Sequence, residues 1–313
     1  MRCKCRKKLV RNGTTRSGTQ RWKCPRCCQT RIRQKKGKVN YRLLSEYLID
    51  GQTVSWLANH RGVHSNTIRN RLTRLLSRLP PSINLPNLTN RKVWLATDAT
   101  HFKHWGCFYI TKAVGIQQPL AVSFCQRECL ETASEHLNQL AKLSVVGYTT
   151  DGRRGLVTAY QQVFPGAVHQ RCLVHIQMRV RTLLTSQPKL PAGRDLLYLS
   201  SQLTRMKNTE QANCLWELFE IWYNQYESIL KERTYLNRSW WYTHRNLRSA
   251  WRHILNASDS LFVFLNFPES TYHNNHLEGT FGQRKPALYR HRGLSRSKIA
   301  SALLWTFYLK NRL

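Results

Sequence analysis

At 313 residues, 41% hydrophobic and with ten Trp, the chain is long and apolar enough for two or three packed domains, which excludes a disordered polymer. Its 50 Lys and Arg against 16 Asp and Glu leave a net charge of +34, and a polyanionic partner is the simplest reason to carry so much self-repulsion. No apolar run approaches the ~18 residues of a membrane span and no secretory h-region opens the chain, so the expected location is the cytoplasm, with no membrane partner.

Residues 1–38 are basic and contain no acid, and they hold Cys3, Cys5, Cys24 and Cys27. Cys24-Pro-Arg-Cys27 has the spacing at which two thiolates share one tetrahedral Zn2+, and Asn12-Gly13 and Ser17-Gly18 mark turns between the Cys groups. So short a segment has no core of its own, and a metal would supply its folding energy. Residues 39–80 read as short helices. Tyr41, Leu44, Tyr47 and Leu48 form one apolar face, Thr53 caps a second helix, and Ser65 is expected to cap a third after the Arg61-Gly62 turn. Two short helices around a Gly turn predict a helix-turn-helix. Its second helix offers Asn66, Thr67, Arg69, Asn70, Arg71 and Arg74 to bases and phosphates. The alternative is an ordinary helical bundle with a solvated basic face.

Residues 81–92 begin with Pro81 and contain Pro86, and read as a stiff linker. Strands follow at 93–97, 107–114 and 120–124, then a helix carrying Ala133, Leu137, Leu140 and Leu143. The first strand ends at Asp98. A fourth strand, 145–150, ends at Asp151-Gly152, followed by Arg153-Arg154, a helix, the Pro165-Gly166 break, a short strand and Cys172-Leu-Val-His175. An acid at the C-terminal mouth of a strand is a common functional position. Residues 177–267 read as helical throughout, with Trp216, Trp222, Trp240, Trp241 and Trp251 expected mainly in a core; one of them could instead stack on a flipped base. Glu278 is expected on a short helix with Lys285 two turns on, beside Arg284, Arg290 and Arg292, before a final helix containing Leu303 and Trp305.

The stretch VVGYTTDGRRGLVTAYQQVFPGAVHQRCLVH, residues 145–175, resembles the second-acid region of mutator-type transposases of bacterial insertion sequences. These are DDE enzymes on an RNase H-like fold, with Cys-x-x-His after the second acid. Asp98 in VWLATDATHF and Glu278 in YHNNHLEGTFGQRK match the earlier Asp and the late Glu of that family. RNGTTRSGTQRWKCPRC is similar to the zinc ribbon that opens several such proteins, although the first Cys pair here is C-x-C rather than C-x-x-C.

The resemblance implies an α/β fold. An RNase H-like catalytic core, 93–176 and 268–313, would be interrupted by an all-α insertion, 177–267, and preceded by a zinc ribbon and a helix-turn-helix. It further implies that Asp98 and Asp151 meet on neighbouring strands and, with Glu278, hold two Mg2+ or Mn2+ ions. Zn2+ would sit on Cys3, Cys5, Cys24 and Cys27. Arg153, Arg154, Arg284, Lys285, Arg290 and Arg292 would join the helix-turn-helix in binding double-stranded DNA: terminal inverted repeats and target DNA, in the nucleoid, as a homodimer or higher oligomer. Cys172 and His175 are either structural or half of a zinc site with His273 and His276. A catalytically inactive DNA-binding descendant and an RNase H-like nuclease are the alternative functions.

Overall fold

The computed structural model describes residues 2–16, 18–32, 39–81, 88, 91–102, 106–275, 277, 279 and 294–310. Two compact units make up the chain, Met1–Tyr41 and Arg42–Leu313. In the first, strands β1 (Val10–Thr14), β2 (Gln20–Lys23) and β3 (Thr30–Ile32) form an antiparallel sheet in that order. Every residue of β1 is exposed, and the small buried nucleus consists of Cys3, Leu9 and Cys24 packed by Cys5 and Trp22.

The second unit opens with three helices, α1 (Tyr41–Leu48), α2 (Val54–His60) and α3 (Ser65–Leu76). They bury Leu43, Leu44, Leu57, Ile68, Leu72 and Leu75. Thr53 caps α2 as expected, accepting from the Trp56 amide at 3.1 Å. Ser65 does not cap α3. The cap is His64, whose Nδ1 accepts from the Asn66 amide at 3.2 Å, because His64 has the extended backbone of a cap while Ser65 already lies in the helix. Arg61, at the end of α2, pairs with Glu46 of α1.

A five-stranded mixed sheet forms the core. Its strands are β4 (Lys92–His101), β5 (Cys107–Ala113), β6 (Ala121–Cys125), β7 (Ser144–Thr150) and β8 (Val168–Arg171), in the order β6-β5-β4-β7-β8. β4, β5 and β6 run antiparallel as a meander, and β7 and β8 join β4 in parallel. Helices α4 (Leu130–Asn138) and α5 (Arg154–Val163) are the crossovers that parallel pairing demands. Their Ala133, Leu137, Leu156, Ala159 and Tyr160 pack on Leu95, Tyr109 and Tyr148. The last helix, α11 (Arg296–Lys310), packs against β6 and α3. Its Trp305 indole donates to the Arg78 carbonyl at 2.9 Å, just beyond the end of α3.

Between β8 and residue 272 lie α6 (Leu173–Leu184), α7 (Pro191–Gln202), the 23-residue α8 (Thr209–Lys231), α9 (Arg245–Leu255) and α10 (Ser258–Leu261). Leu196, Phe219, Trp222, Leu247, Trp251 and Ile254 form a second core there. The insertion is not all-helical. β9 (Arg233–Leu236) and β10 (Ser239–Tyr242) form an antiparallel hairpin between α8 and α9. Asn237 takes φ +52°, as the two-residue turn requires. Trp222 and Trp251 belong to the core and Trp216 packs against it, whereas Trp240 and Trp241 are exposed on the hairpin. No helix among the described residues is long and apolar enough to cross a membrane.

A polar network is buried beneath the sheet. The hydroxyl of Thr97 bonds those of Thr111 and Tyr160, and His136 is held by Thr111 at Nε2 (2.8 Å) and Ser123 at Nδ1 (2.7 Å). Burial pulls the His136 pKa down to about 3, so the ring is neutral. His169 and His253 are pulled down to about 4, chiefly by burial, with nearby arginines adding. Unfolded, each would take a proton near pH 6.5, so between pH 6.5 and the folded values the unfolded chain binds more protons. The stability is therefore full above pH 6.5 and is lost as pH falls. At pH 5 the neutral His136 alone costs about 2 kcal/mol relative to neutral pH. Denaturant midpoints should fall between pH 7 and pH 5, and His136→Gln should flatten part of that dependence.

Candidate functional site

Residues in the second half of β4 and at the C-terminal ends of β7 and β8 build the site. β4 does not end at Asp98 as expected but runs on to His101, because Asp98 to His101 stay paired with Ile110 to Cys107 of β5. Parallel pairing of β4 with β7 ends at Leu95 with Tyr148 and Ala96 with Thr149. Two residues further along each strand stand Asp98 and Asp151, at the same offset, and neighbouring strands lie about 4.8 Å apart. On the other side β7 pairs Thr150 with Arg171 of β8, which puts Cys172 next to Asp151 in the same row. The Cys172 amide donates to the Thr150 carbonyl at 2.8 Å. Three consecutive positions across the sheet are thus Asp98, Asp151 and Cys172, and His175 follows one turn into α6.

Both acids are half-buried. Asp151 Oδ1 accepts from the Arg153 amide at 3.0 Å and Oδ2 faces Arg153 Nε at 3.2 Å. The hydrogen bond with Cys172 raises the His175 pKa to about 9; burial opposes it, and the charges of Cys172, Asp98 and Asp151 add to the rise. His175 therefore lies within the field of both acids, at the site rather than away from it.

Sequence reading missed Glu128, which lies between β6 and α4 and carries no motif. Its carboxylate is nearly buried, accepts from His101 Nε2 at 2.9 Å and pairs with Arg153. Burial raises its pKa and Asp151 adds, while Arg153 and His101 oppose. Arg153, expected to bind DNA, bridges Asp151 and Glu128, and exposed Arg154 opens α5. Arg171 was missed as well. Its Nη1 donates to the Gly152 carbonyl at 3.3 Å, and its buried Nε–H has no hydrogen-bond partner among the described residues. Burial lowers its pKa, against the opposing pull of Asp151.

The chain returning from the insertion runs along the same strand ends. Thr149 donates to the Thr271 carbonyl at 2.6 Å, and fully buried Asn274 donates to the carbonyl of Thr97, the residue before Asp98, at 3.1 Å. Asn274 precedes Glu278 by four positions. Glu278 itself, with His276, Arg284, Lys285, Arg290 and Arg292, lies outside the described residues.

Two further groups stand apart from these strand ends. On α3, Asn66, Arg69, Asn70, Arg71 and Arg74 are exposed, Thr67 is half-buried, and the helix contains no acid. In the N-terminal unit, Cys3, Cys5, Cys24 and Cys27 bring their sulfurs within 4.8 Å of one another. Cys3 and Cys27 are 3.3 Å apart, Cys5 and Cys24 3.4 Å, and Cys5 and Cys27 3.9 Å. Tetrahedral sulfurs on bonds of about 2.3 Å stand roughly 3.8 Å apart, so the cluster can hold one metal ion despite the C-x-C spacing. Backbone amides, that of Cys27 foremost, lower the Cys24 thiol to about 6, which favours the thiolate.

A family model described as Transposase, Mutator family matches residues 115–278, a span that begins after Asp98 and includes Asp151, Cys172, His175 and Glu278. No curated protein matches the chain.

Gly152 allows the turn after Asp151 in two ways. Its φ is +78°, and a Cβ there would come within 2.0 Å of the Arg171 guanidinium. Gly152→Ala should cost about 1–3 kcal/mol and push the Arg171 guanidinium off the Gly152 carbonyl. A chemical denaturation curve of the variant checks the stability loss.

Proposed function

The chain belongs to the Mutator family of transposases, and on that premise we propose that it is the DNA transposase of an insertion sequence. In this reading it binds terminal inverted repeats, cleaves at the transposon ends and transfers the resulting 3′-OH strand into target DNA. The observation that carries the reading is the common offset of Asp98 and Asp151 on the parallel pair β4 and β7. A three-stranded meander, a crossover helix, then a fourth strand parallel to the first is the connectivity of an RNase H-like core, and the strand order supports that assignment. The insertion then separates Asp151 from Glu278, the third acid. The anchoring of Asn274 beside Asp98 supports the return of the chain to the acids.

Two bound Mg2+ or Mn2+ ions would supply Lewis-acid stabilisation of the attacking and leaving oxygens. Asp98, Asp151 and Glu278 are the oxygen donors such hard ions prefer. The paired strands β4 and β7 position the first two, and the Glu128–Arg153 pair fixes the approach to Asp151. The Arg171 Nε–H is a donor for a phosphate oxygen of the bound strand. His175 and Cys172 brace the row of acids from α6. The acid-free exposed face of α3 reads base edges and phosphates as a helix-turn-helix does, and the N-terminal unit adds a zinc ribbon. The protein works on nucleoid DNA in the cytoplasm, as a homodimer or higher oligomer.

Asp151→Asn keeps size and hydrogen bonding but removes the charge that the ions need. It should lower Mg2+-dependent nicking and strand transfer on terminal-repeat DNA on the order of a thousandfold or more, and leave binding to that DNA unchanged. Normal cutting by this variant would defeat the assignment of the acids.

Zinc forms a separate test. Elemental analysis of the purified chain should find about one zinc per molecule, lost in Cys24→Ser. Chelation should unfold the β1–β3 sheet and leave the melting of the larger unit in place. A sheet that keeps its amide dispersion without metal would refute the ribbon.

A further inference from the structure

The β9–β10 hairpin presents to solvent the kind of surface a folded chain ordinarily buries. Tyr235 is 67% exposed, Leu236 61%, Trp240 47% and Trp241 36%. The register pairs Tyr235 with Trp240 and Arg233 with Tyr242, so these four side chains share one face of the ribbon. On that face the guanidinium of Arg233 lies 4.1 Å from the Trp240 ring centroid, and that of Arg248, from α9, lies 3.9 Å from the Tyr242 ring. Trp240 and Tyr242 meet edge to face at 5.4 Å. Trp240 and Tyr242 are thus each fixed by a cation on one side, while Trp240 and its cross-strand partner Tyr235 stay exposed.

The surrounding charge indicates what covers them. From Arg233 to Leu255 the sequence contains Arg233, Arg238, Arg245, Arg248 and Arg252 and no acid, and Glu232, just before β9, is paired with His244. A symmetric contact between two copies through this face would bring that arginine run against itself. A strand of nucleic acid with unstacked bases matches both features, since its bases stack on rings and its phosphates pair with arginines.

We propose that the β9–β10 hairpin is a stacking platform for unpaired DNA bases, with Tyr235 and Trp240 as the stacking rings and Arg238 and Arg245 as phosphate contacts. A base opened from the duplex, or a single-stranded flank exposed by strand cleavage, is the ligand. The proposal takes from the preceding reading only that DNA is the partner, and it is independent of the three acids.

The test uses the full-length protein without divalent metal, so that no cutting occurs. A single-stranded oligonucleotide carrying 2-aminopurine is compared with the fully paired duplex of the same sequence. Tyr235→Ala with Trp240→Ala should weaken single-strand binding roughly ten- to hundredfold and abolish the change in 2-aminopurine fluorescence, while duplex affinity stays within about twofold. Trp240→Phe, which keeps a ring, should retain most of the single-strand affinity. Equal loss on both DNAs, or no loss on either, overturns the proposal. So does a fall in oligomeric state with single-strand affinity intact, which would make the face an interface between copies, or lost binding to anionic vesicles in place of DNA.

Where the alanine variant fails to fold, photocrosslinking of an iododeoxyuridine-labelled single strand to the wild-type chain decides. The labelled peptide must contain Tyr235 or Trp240, and a crosslink confined to other elements sinks the platform. Single-strand binding that survives in Asp151→Asn leaves this site standing whatever becomes of the cleavage reading. Normal cutting by a protein that binds no single strand removes only the platform.

Discussion

Everything at the site depends on the parallel pairing of β4 with β7, and that pairing is held by one buried tryptophan. The Trp94 ring lies where a side chain on residue 147 would have to be: a Cβ on Gly147 would meet it at 2.3 Å. The register shifts between Val93 and Trp94, so that Trp94 pairs with Gly147 instead of Val146. The Trp94 indole then donates to Thr149 at 2.9 Å, and Thr149 donates to the carbonyl of Thr271. One side chain thereby joins the first strand, the fourth strand and the segment that returns after the insertion. A shift of one residue in this register would turn each inward side chain outward and separate the two acids.

The acids are placed where a chain of net charge +34 can keep them. Two carboxylates on adjacent strands repel each other unless a cation intervenes. Here Arg153 lies between Asp151 and Glu128, Arg171 lies behind Gly152, and His101 and His175 complete a ring of positive or polarisable groups. The backbone beneath is equally constrained. Thr97, just before Asp98, is tied through its hydroxyl to Thr111 and Tyr160 and through its carbonyl to Asn274. A position so fully hydrogen-bonded on the buried side leaves the next residue little freedom, which is what a rigid site needs.

The insertion divides its tryptophans by task. Trp222 donates its indole N–H to the Ala192 carbonyl at 2.9 Å and packs against Trp251 at 5.2 Å between centroids, and both are interior residues. The Gln170 side chain of β8 bonds the Leu261 carbonyl and the Phe264 amide, which fastens this helical layer to the edge of the sheet. Trp240 and Trp241 belong to neither core, and only their place on a hairpin separates them from the rest.

Local sequence determined a good deal. The strand mouth at Asp151, the turns of α1–α3, the crossover helices and the paired cysteines are all short-range patterns, set by apolar period, turn residues and charge, whereas β4 runs past Asp98 to His101 because its last residues stay paired with β5. The His64 cap differs from the expected Ser65 by a single position, because either side chain can accept an amide and only the backbone angle chooses between them. The β9–β10 hairpin escaped the same reading. Its strands are four residues each, its turn is Asn-Arg rather than Asn-Gly, and its alternation is hidden by rings on both faces. Other features belonged to the tertiary structure alone. That Asp98 stands beside Asp151, that Cys5 joins a four-sulfur cluster through an unusual spacing, that Glu128 pairs with Arg153 and that Arg171 reaches the Gly152 carbonyl depend on contacts between residues far apart in the chain. Periodicity reports which way a side chain faces; it carries no information about which distant strand will lie alongside, because that choice is made by packing across the whole core.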